Sequence, residues 1–297
     1  MINSAMIALK FGSTDTALLS YVAYLSEVVS VRDHFFLHVI QQNSREWGAY
    51  QVETHKLMEG FNLKSEIRKN IRSSVEEFFS PHPDKNYEYI IKEGYPLEEL
   101  VYSAKLKCAD LVIIGQNTHA IHHNILARNF IRQVESDALV VPDKSVARMR
   151  NILVPVDFSA HSVKALQKAV AVNRHLEKPA RITCLNVYGL PNLQFFNVEK
   201  TRSELKTIIE KDRALAFRSF IESNIPNQKD RENIHTSLVE RQQHDPGFLI
   251  NEYAHKEEKD IIIMGAKGHT RAGLLLMGSV TERVLGLNRE IPVWIIK

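Results

Sequence analysis

Cysteine is scarce in this chain: Cys108 and Cys184 are the only two among 297 residues, and no CxxC pair occurs. A disulfide framework is excluded, and both thiols are expected to be buried and free in a reducing compartment. Long apolar runs are missing too, and none approaches the roughly 18 residues that span a bilayer. The opening MINSAMIALKFG lacks the basic stretch and long apolar run of a signal peptide. Charge of one sign is scarce: the formal net charge is +3, with no dominant Lys/Arg cluster. That argues against nucleic acid or a membrane surface as the main partner. The expected location is the cytoplasm. Neither a G-x4-G-K-[ST] phosphate loop nor a G-x-S-x-G nucleophile elbow is present. His119, His122 and His123 in HAIHH have a spacing that grips metal, but no cysteine or acidic cluster completes a ligand set. No metal site is expected.

What the chain does have is itself, twice. Its length suggests two domains at about 150 residues each, and 44% hydrophobic residues with 25% charged is ordinary for a globular protein. Laid above HDPGFLINEYAHKEEKDIIIMG (244–265), the stretch GYPLEELVYSAKLKCADLVIIG (94–115) matches without a gap. Pro96 meets Pro246, Leu100 meets Ile250, Ala104 meets Ala254, Asp110 meets Asp260 and Gly115 meets Gly265. MIALKFGS (6–13) matches LVPVDFSA (153–160) at a slightly different offset, pairing Phe11 with Phe158. A duplication with small insertions accounts for both offsets. The polar PDKSVARMR (142–150) is the natural linker, between domains at 1–143 and 148–297.

In the second half, near-continuous apolar runs at 152–156, 181–187, 233–240, 260–265 and 292–297 read as buried parallel strands. Helical patterns separate them. One carries Val163, Leu166 and Val170 behind a cap at Ser159 or Ser162. A second, over 201–223, carries Leu205, Ile208, Ile209, Leu215 and Phe220, and a third runs from Pro246 to about Glu257. The charge run HKEEKD (255–260) reads as the solvated end of that third helix. The first half repeats the order, with strands near 5–10, 34–40, 87–92, 110–115 and 138–141. The fold class is α/β: two tandem doubly wound domains, each a five-stranded parallel sheet with helices on both faces.

Ligands of this fold bind outside the carboxyl ends of the strands. There the second half reads IIIMGAKGHTRAGLLLMGSVTERV (261–284). Gly265 and Gly268 allow positive φ and keep side chains away from a ligand, so successive amides can face an anion. Gly278 and Ser279 open a helix whose free N–H groups favour phosphate. The spacing G-x2-G-x9-G-S is the ATP-binding signature of the universal stress protein family. Together with ILVPVDFS (152–159) it makes the chain resemble a tandem member of that family.

The resemblance implies a Rossmann-like strand order of 3-2-1-4-5 and an adenine nucleotide, ATP, with any Mg²⁺ held by the phosphates. It implies that Asp157, with Pro155 beside it, holds the adenosine end and that the Val187 backbone meets adenine. Gly265 would lie by the ribose, and Gly268, Gly278, Ser279 and Val280 would hold the phosphates; Met264 and His269 are counted in the same nucleotide site, His269 as a loop group able to meet the polyphosphate. A carboxylate repels phosphate, which also puts Asp157 at the nucleoside end. In the first half Thr118 stands for Gly268, Arg128 for Gly278, Asn129 for Ser279 and Lys10 for Asp157, so that domain reads as degenerate. Family members dimerise through their last strands, which implies an intramolecular pseudo-dimer joining 138–141 to 292–297; a further homodimer is left open. No catalytic residue is assigned. The expected function is a nucleotide-responsive stress module, with a slow ATPase or phosphotransferase, or a scaffold with structural ATP, as the alternatives.

Overall fold

The computed structural model describes residues 2–12, 14–41, 63–79, 84–118, 123–191, 201–268 and 277–297, and every structural statement here concerns these. The chain divides into two compact units, Met1–Ala147 and Arg148–Lys297.

The first unit runs β1 (Ser4–Leu9), α1 (Thr14–Val28), β2 (Asp33–Gln41), α2 (Leu63–Glu76), β3 (Asn86–Gly94), α3 (Pro96–Leu106), β4 (Leu111–Gln116), α4 (His123–Gln133) and β5 (Asp137–Pro142). Its strands lie in the order β3-β2-β1-β4-β5, every pair parallel. The second unit runs β6 (Asn151–Pro155), α5 (Ala160–Asn173), β7 (Arg181–Gly189), α6 (Arg202–Asn224), a one-turn helix (Gln228–Arg231), β8 (Ile234–Arg241), α7 (Pro246–Lys256), β9 (Ile261–Gly265), α8 (Ser279–Leu287) and β10 (Val293–Ile296). Its order is β8-β7-β6-β9-β10, again parallel throughout. Each unit is therefore a doubly wound 3-2-1-4-5 sheet covered by helices on both faces. The central strands are apolar at nearly every position because both faces are covered, as Ile152, Leu153, Val154 and Ile261 to Ile263 show at 0% exposure.

The duplication is written into the backbone as well as the sequence. Phe11 and Phe158, each just beyond its first strand, hold φ of 57° and 65°; Cys108 and Glu258, each just beyond a helix, hold 47° and 45°. Positive φ in a non-glycine residue is uncommon, so two matched pairs mark inherited turns. A carboxylate is reused in the same way. Asp110 Oδ2 accepts from the amides of Asn3 and Ser4, and Asp260 Oδ2 accepts from those of Arg150 and Asn151. Each ties the start of the first strand to the start of the fourth.

Several expectations fail on packing. Cys108 is exposed, and only Cys184 is buried, because Cys108 sits in the surface turn that ends α3. In α6 the exposed face holds Ile208 and Leu215, while Phe217 and Phe220 go inside. The run HKEEKD is solvated only over 255–258, since Lys259 and Asp260 are buried. Asp260 holds the strand amides just described, and Lys259 Nζ donates to Thr183 Oγ1 at 2.9 Å. Of the two candidate caps for α5, Ser159 is the one used, its side chain accepting from the Ser162 amide.

Candidate functional site

The ends of β6, β7 and β9 and the first turns of α7 and α8 surround a cavity of about 330 Å³ in the second unit, within the usual size range of small-ligand pockets. The chain crosses from β6 to β7 on one side while β9 lies on the other, so this is the switch point of the sheet. Pro155, Asp157, Val187, Met264, Gly265, Gly268, Gly278, Ser279 and Val280 all line the cavity. His269 lies outside the described residues, as do His119 and His122, and nothing is described of the His123 side chain.

Val156, Ser162, Leu185, Asn186, Pro246, Ile250, Lys267 and Thr281 also line it. Pro246 and Ile250 were visible in the sequence as repeat partners of Pro96 and Leu100, which gave no hint of a pocket. Nothing local marks Asn186 or Leu185, which reach the cavity through strand pairing. Asn186 is buried, its Nδ2 donating to the Val156 carbonyl at 2.7 Å, while its Oδ1 is buried with no partner. A buried amide oxygen with no partner costs free energy that a donor on a ligand would recover. Apolar groups (Val156, Leu185, Val187, Ile250, Met264) and polar ones (Asp157, Asn186, Lys267, Ser279) thus share one concave surface, as a group with an apolar ring and a charged tail requires.

The glycines work differently from the expectation. Among the described residues the only glycine with positive φ is Gly94, so neither Gly265 nor Gly268 is there for left-handed backbone. A Cβ on Gly265 would stand 2.6 Å from the His161 Cβ and 3.0 Å from the His161 carbonyl oxygen, so this glycine lets α5 sit directly on the end of β9. A Cβ on Gly268 would collide with the Asp157 carboxylate. At Gly278 a Cβ would enter the space between α8 and the loop, 3.4 Å from both the Ala266 oxygen and the Lys267 Cα. The Gly278 amide is not free, because it donates to the Ala266 carbonyl at 2.8 Å. Thr281 Oγ1 adds a second tie, to the Gly265 carbonyl at 3.0 Å. Together they clamp the start of α8 against the end of β9. The first-turn amides of Ser279 and Val280 have no acceptor within the helix and stand where the helix dipole favours an anion.

Asp157 is also closer to the glycine loop than expected, because its side chain packs on Gly268. Its Oδ1 accepts from the Ser159 amide at 3.0 Å, which orients the carboxylate across the top of β6. His161, one helical turn on, is held below its ordinary pKa, first by burial and then by Lys164 and Lys267, with Asp157 opposing. Among the described residues no group of three or more His, Cys, Asp or Glu could hold a metal ion. No described helix is long and apolar enough to cross a membrane.

The same positions in the first unit are spent on internal bonds. The Asp15 carboxylate accepts from the Lys10 and Phe11 amides at 3.1 and 2.8 Å, filling the turn from within. Lys10 Nζ donates to the Gly115 carbonyl at 3.4 Å, and burial holds this lysine below its ordinary pKa. Thr118 Oγ1 donates to Asp143 at 2.8 Å. Leu100, Ile114, Leu37, Ala127 and Phe130 are buried in one core cluster. The expected placing of Arg128 and Asn129 at the helix start is wrong. Ala127, Phe130, Ile131 and Val134 are buried in the pattern of Thr281, Val284, Leu285 and Asn288. The first unit's connection is therefore shorter, and Arg128 and Asn129 lie inside α4.

The sequence profile of the universal stress protein family matches residues 149–297. A universal stress protein of Methanocaldococcus jannaschii is 25% identical over 148 residues, covering 50% of this chain and 82% of that protein. Among solved structures, a universal stress protein from Archaeoglobus fulgidus aligns with a TM-score of 0.63 at 16% identity, over 100% of this chain and 97% of its own. A functionally unknown protein from Pseudomonas aeruginosa aligns with a TM-score of 0.59 at 16% identity, over 100% of this chain and 92% of its own. At such identities the structural likeness speaks for the fold alone.

Proposed function

The chain belongs to the universal stress protein family, and from that premise we propose that its second unit binds ATP and serves as a nucleotide-responsive stress module. The observation that carries this reading is the cavity itself, which joins an apolar slot to a helix N-terminus through a loop in which Gly265 and Gly268 leave no room for a Cβ. Val187, Val156, Leu185, Ile250 and Met264 would hold the base, with the unsatisfied Asn186 Oδ1 available to a donor on its edge. Asp157 would accept from ribose hydroxyls, the part of a nucleotide between base and phosphates, which suits a carboxylate packed on Gly268. The Ser279 and Val280 amides, the Ser279 hydroxyl and Lys267 would take the polyphosphate, with Mg²⁺ carried on the phosphates. His269 is proposed on the family motif alone.

Binding, rather than turnover, is the proposed end of this chemistry. Phosphoryl transfer needs an oriented nucleophile and strong charge neutralisation at the terminal phosphate. Contacts that hold substrate and transition state equally give affinity without rate. Asp157, committed to the Ser159 amide and the glycine loop, is not aimed at an attacking water. The test is mass spectrometry of the denatured, purified protein for retained adenine nucleotide, followed by timed survival of added ATP with Mg²⁺. Retained ATP that survives about an hour supports the binding module, since an ordinary enzyme turns over about 1–1000 times per second. Rapid loss of ATP by the wild type would promote the enzyme reading, and no binding at all would end both.

A further inference from the structure

We infer that Thr281 and Asn251 are positioning residues for the phosphate end of the cavity: they lock the first turn of α8 in place and so set how well its amides hold a polyphosphate. The inference rests on the nucleotide reading above. Thr281 is buried, and its Oγ1 donates to the Gly265 carbonyl at 3.0 Å, which ties α8 to the end of β9. Asn251 is buried in α7, and its Nδ2 donates to the Gly247 carbonyl of its own helix and to the Val284 carbonyl of α8, each at 3.2 Å. One turn earlier, a Cβ on Gly247 would stand 2.7 Å from the Arg283 Cβ and 3.0 Å from the Val280 carbonyl oxygen. That glycine lets the first turn of α7 lie directly against the first turn of α8. The turn is thus held by β9 on one side and by α7 on the other. Pro246 and Ile250 of α7 and Ser279 and Val280 of α8 all line the cavity, so these bonds fix the apolar slot and the anion end relative to each other.

The first unit supplies the comparison. The gapless alignment sets Leu97 against Gly247 and Val101 against Asn251, and the burial pattern of α4 sets Ala127 against Thr281. Three apolar side chains stand where the second unit has a glycine, an amide and a hydroxyl. Ala127 belongs to the first unit's core cluster, and Leu97 and Val101 pack against it. The fold therefore joins this pair of helices by apolar packing alone, and the polar ties are an addition of the unit that has the cavity. Burying a hydroxyl and an amide costs free energy that their bonds only offset. What the ties add is direction and distance. The first-turn amides have no acceptor within the helix, and a hydrogen bond to an anion weakens steeply as its length and angle drift. Ligand-holding groups need support to within about 0.5 Å from the residues behind them, and Thr281 and Asn251 give it here.

The experiment is calorimetric titration of the full chain with ATP and with adenosine, which lacks the phosphates. The wild type is compared with Thr281→Val, which keeps the shape and removes the hydroxyl, with Thr281→Ser, which keeps the hydroxyl, and with Asn251→Val, which installs the first unit's residue. For Thr281→Val we expect ATP affinity to fall about three- to tenfold, the scale of one lost hydrogen bond, with adenosine affinity within about twofold of the wild type. Thr281→Ser should recover the wild-type ratio of the two affinities. Asn251→Val should show the same split, and it carries the test if Thr281→Val does not fold. Equal losses for ATP and adenosine would mean a merely structural role and would overturn the inference. So would wild-type ATP affinity in both Thr281→Val and Asn251→Val, and either result leaves nucleotide binding intact. A wild type that binds neither ligand would remove the nucleotide reading and this inference with it.

Discussion

The carboxylate of Asp157 occupies the space that a side chain at residue 268 would need. One residue closes the first strand of its unit and the other follows the fourth, so the glycine signature and the acidic residue form one device. Gly268→Ala should displace the carboxylate, which is the end of a side chain and can swing aside, and so weaken ATP binding by an order of magnitude or more with little loss of stability. In an Asp157→Ser background the same change should cost little further affinity, because the carboxylate it displaces is already gone. Urea denaturation and calorimetry of the four proteins form a double-mutant cycle, and strictly additive effects would mean the two residues do not meet.

Gly265 behaves as a packing residue. Gly265→Ala places a Cβ 2.6 Å from that of His161 and 2.9 Å from its carbonyl carbon, and a backbone neighbour cannot swing away. The nucleotide-free protein should lose about 1–3 kcal/mol. Unchanged urea stability in the absence of nucleotide would show that this glycine serves only a ligand.

Stoichiometry separates the two units. We expect one ATP per chain by calorimetry, because the first unit has Lys10 and Thr118 where the second has Asp157 and Gly268, and both are bonded internally, with Asp15 holding the turn after β1. Gly278→Val should abolish binding by filling the space beside Ala266 and Lys267. Thr118→Val should leave the ATP affinity unchanged and cost only the bond to Asp143, about 0.5–1.5 kcal/mol. Two equivalent sites would refute the assignment.

Acid should weaken the first unit through His34. Its ring is fully buried, with Nε2 bonded to Ser26 Oγ at 2.8 Å, and burial pushes it down from 6.5 to about 4. Well above pH 6.5 the ring is neutral whether the chain is folded or not. As pH falls through about 6.5, the unfolded chain takes up a proton that the folded one refuses until about pH 4. Stability is thus present at neutral pH and lost on acidification, by on the order of 3 kcal/mol once both values are passed. Urea midpoints between about pH 7.5 and about pH 5, compared with those of His34→Gln, should show a slope that the variant lacks.

Much of this was legible in the sequence. Strand runs, caps and turn residues act over a few neighbours, and the duplication doubled each signal, so the order and type of the elements could be read directly. The glycine spacing named the loop that would line the cavity. What only the tertiary structure decided is which atoms meet. That Gly265 clears a helix, that Gly268 clears a carboxylate and that the Gly278 amide is already used all depend on segments far apart in the chain. The mistaken register of Arg128 has the same origin, since a gapless alignment cannot see a shortened connection that the buried face of α4 reveals. Asn186 and Ile250, which line the cavity, carried no motif. Local propensity and hydrophobic period choose the elements, but close packing between distant ones chooses the site, and packing is not a property of any short stretch of sequence.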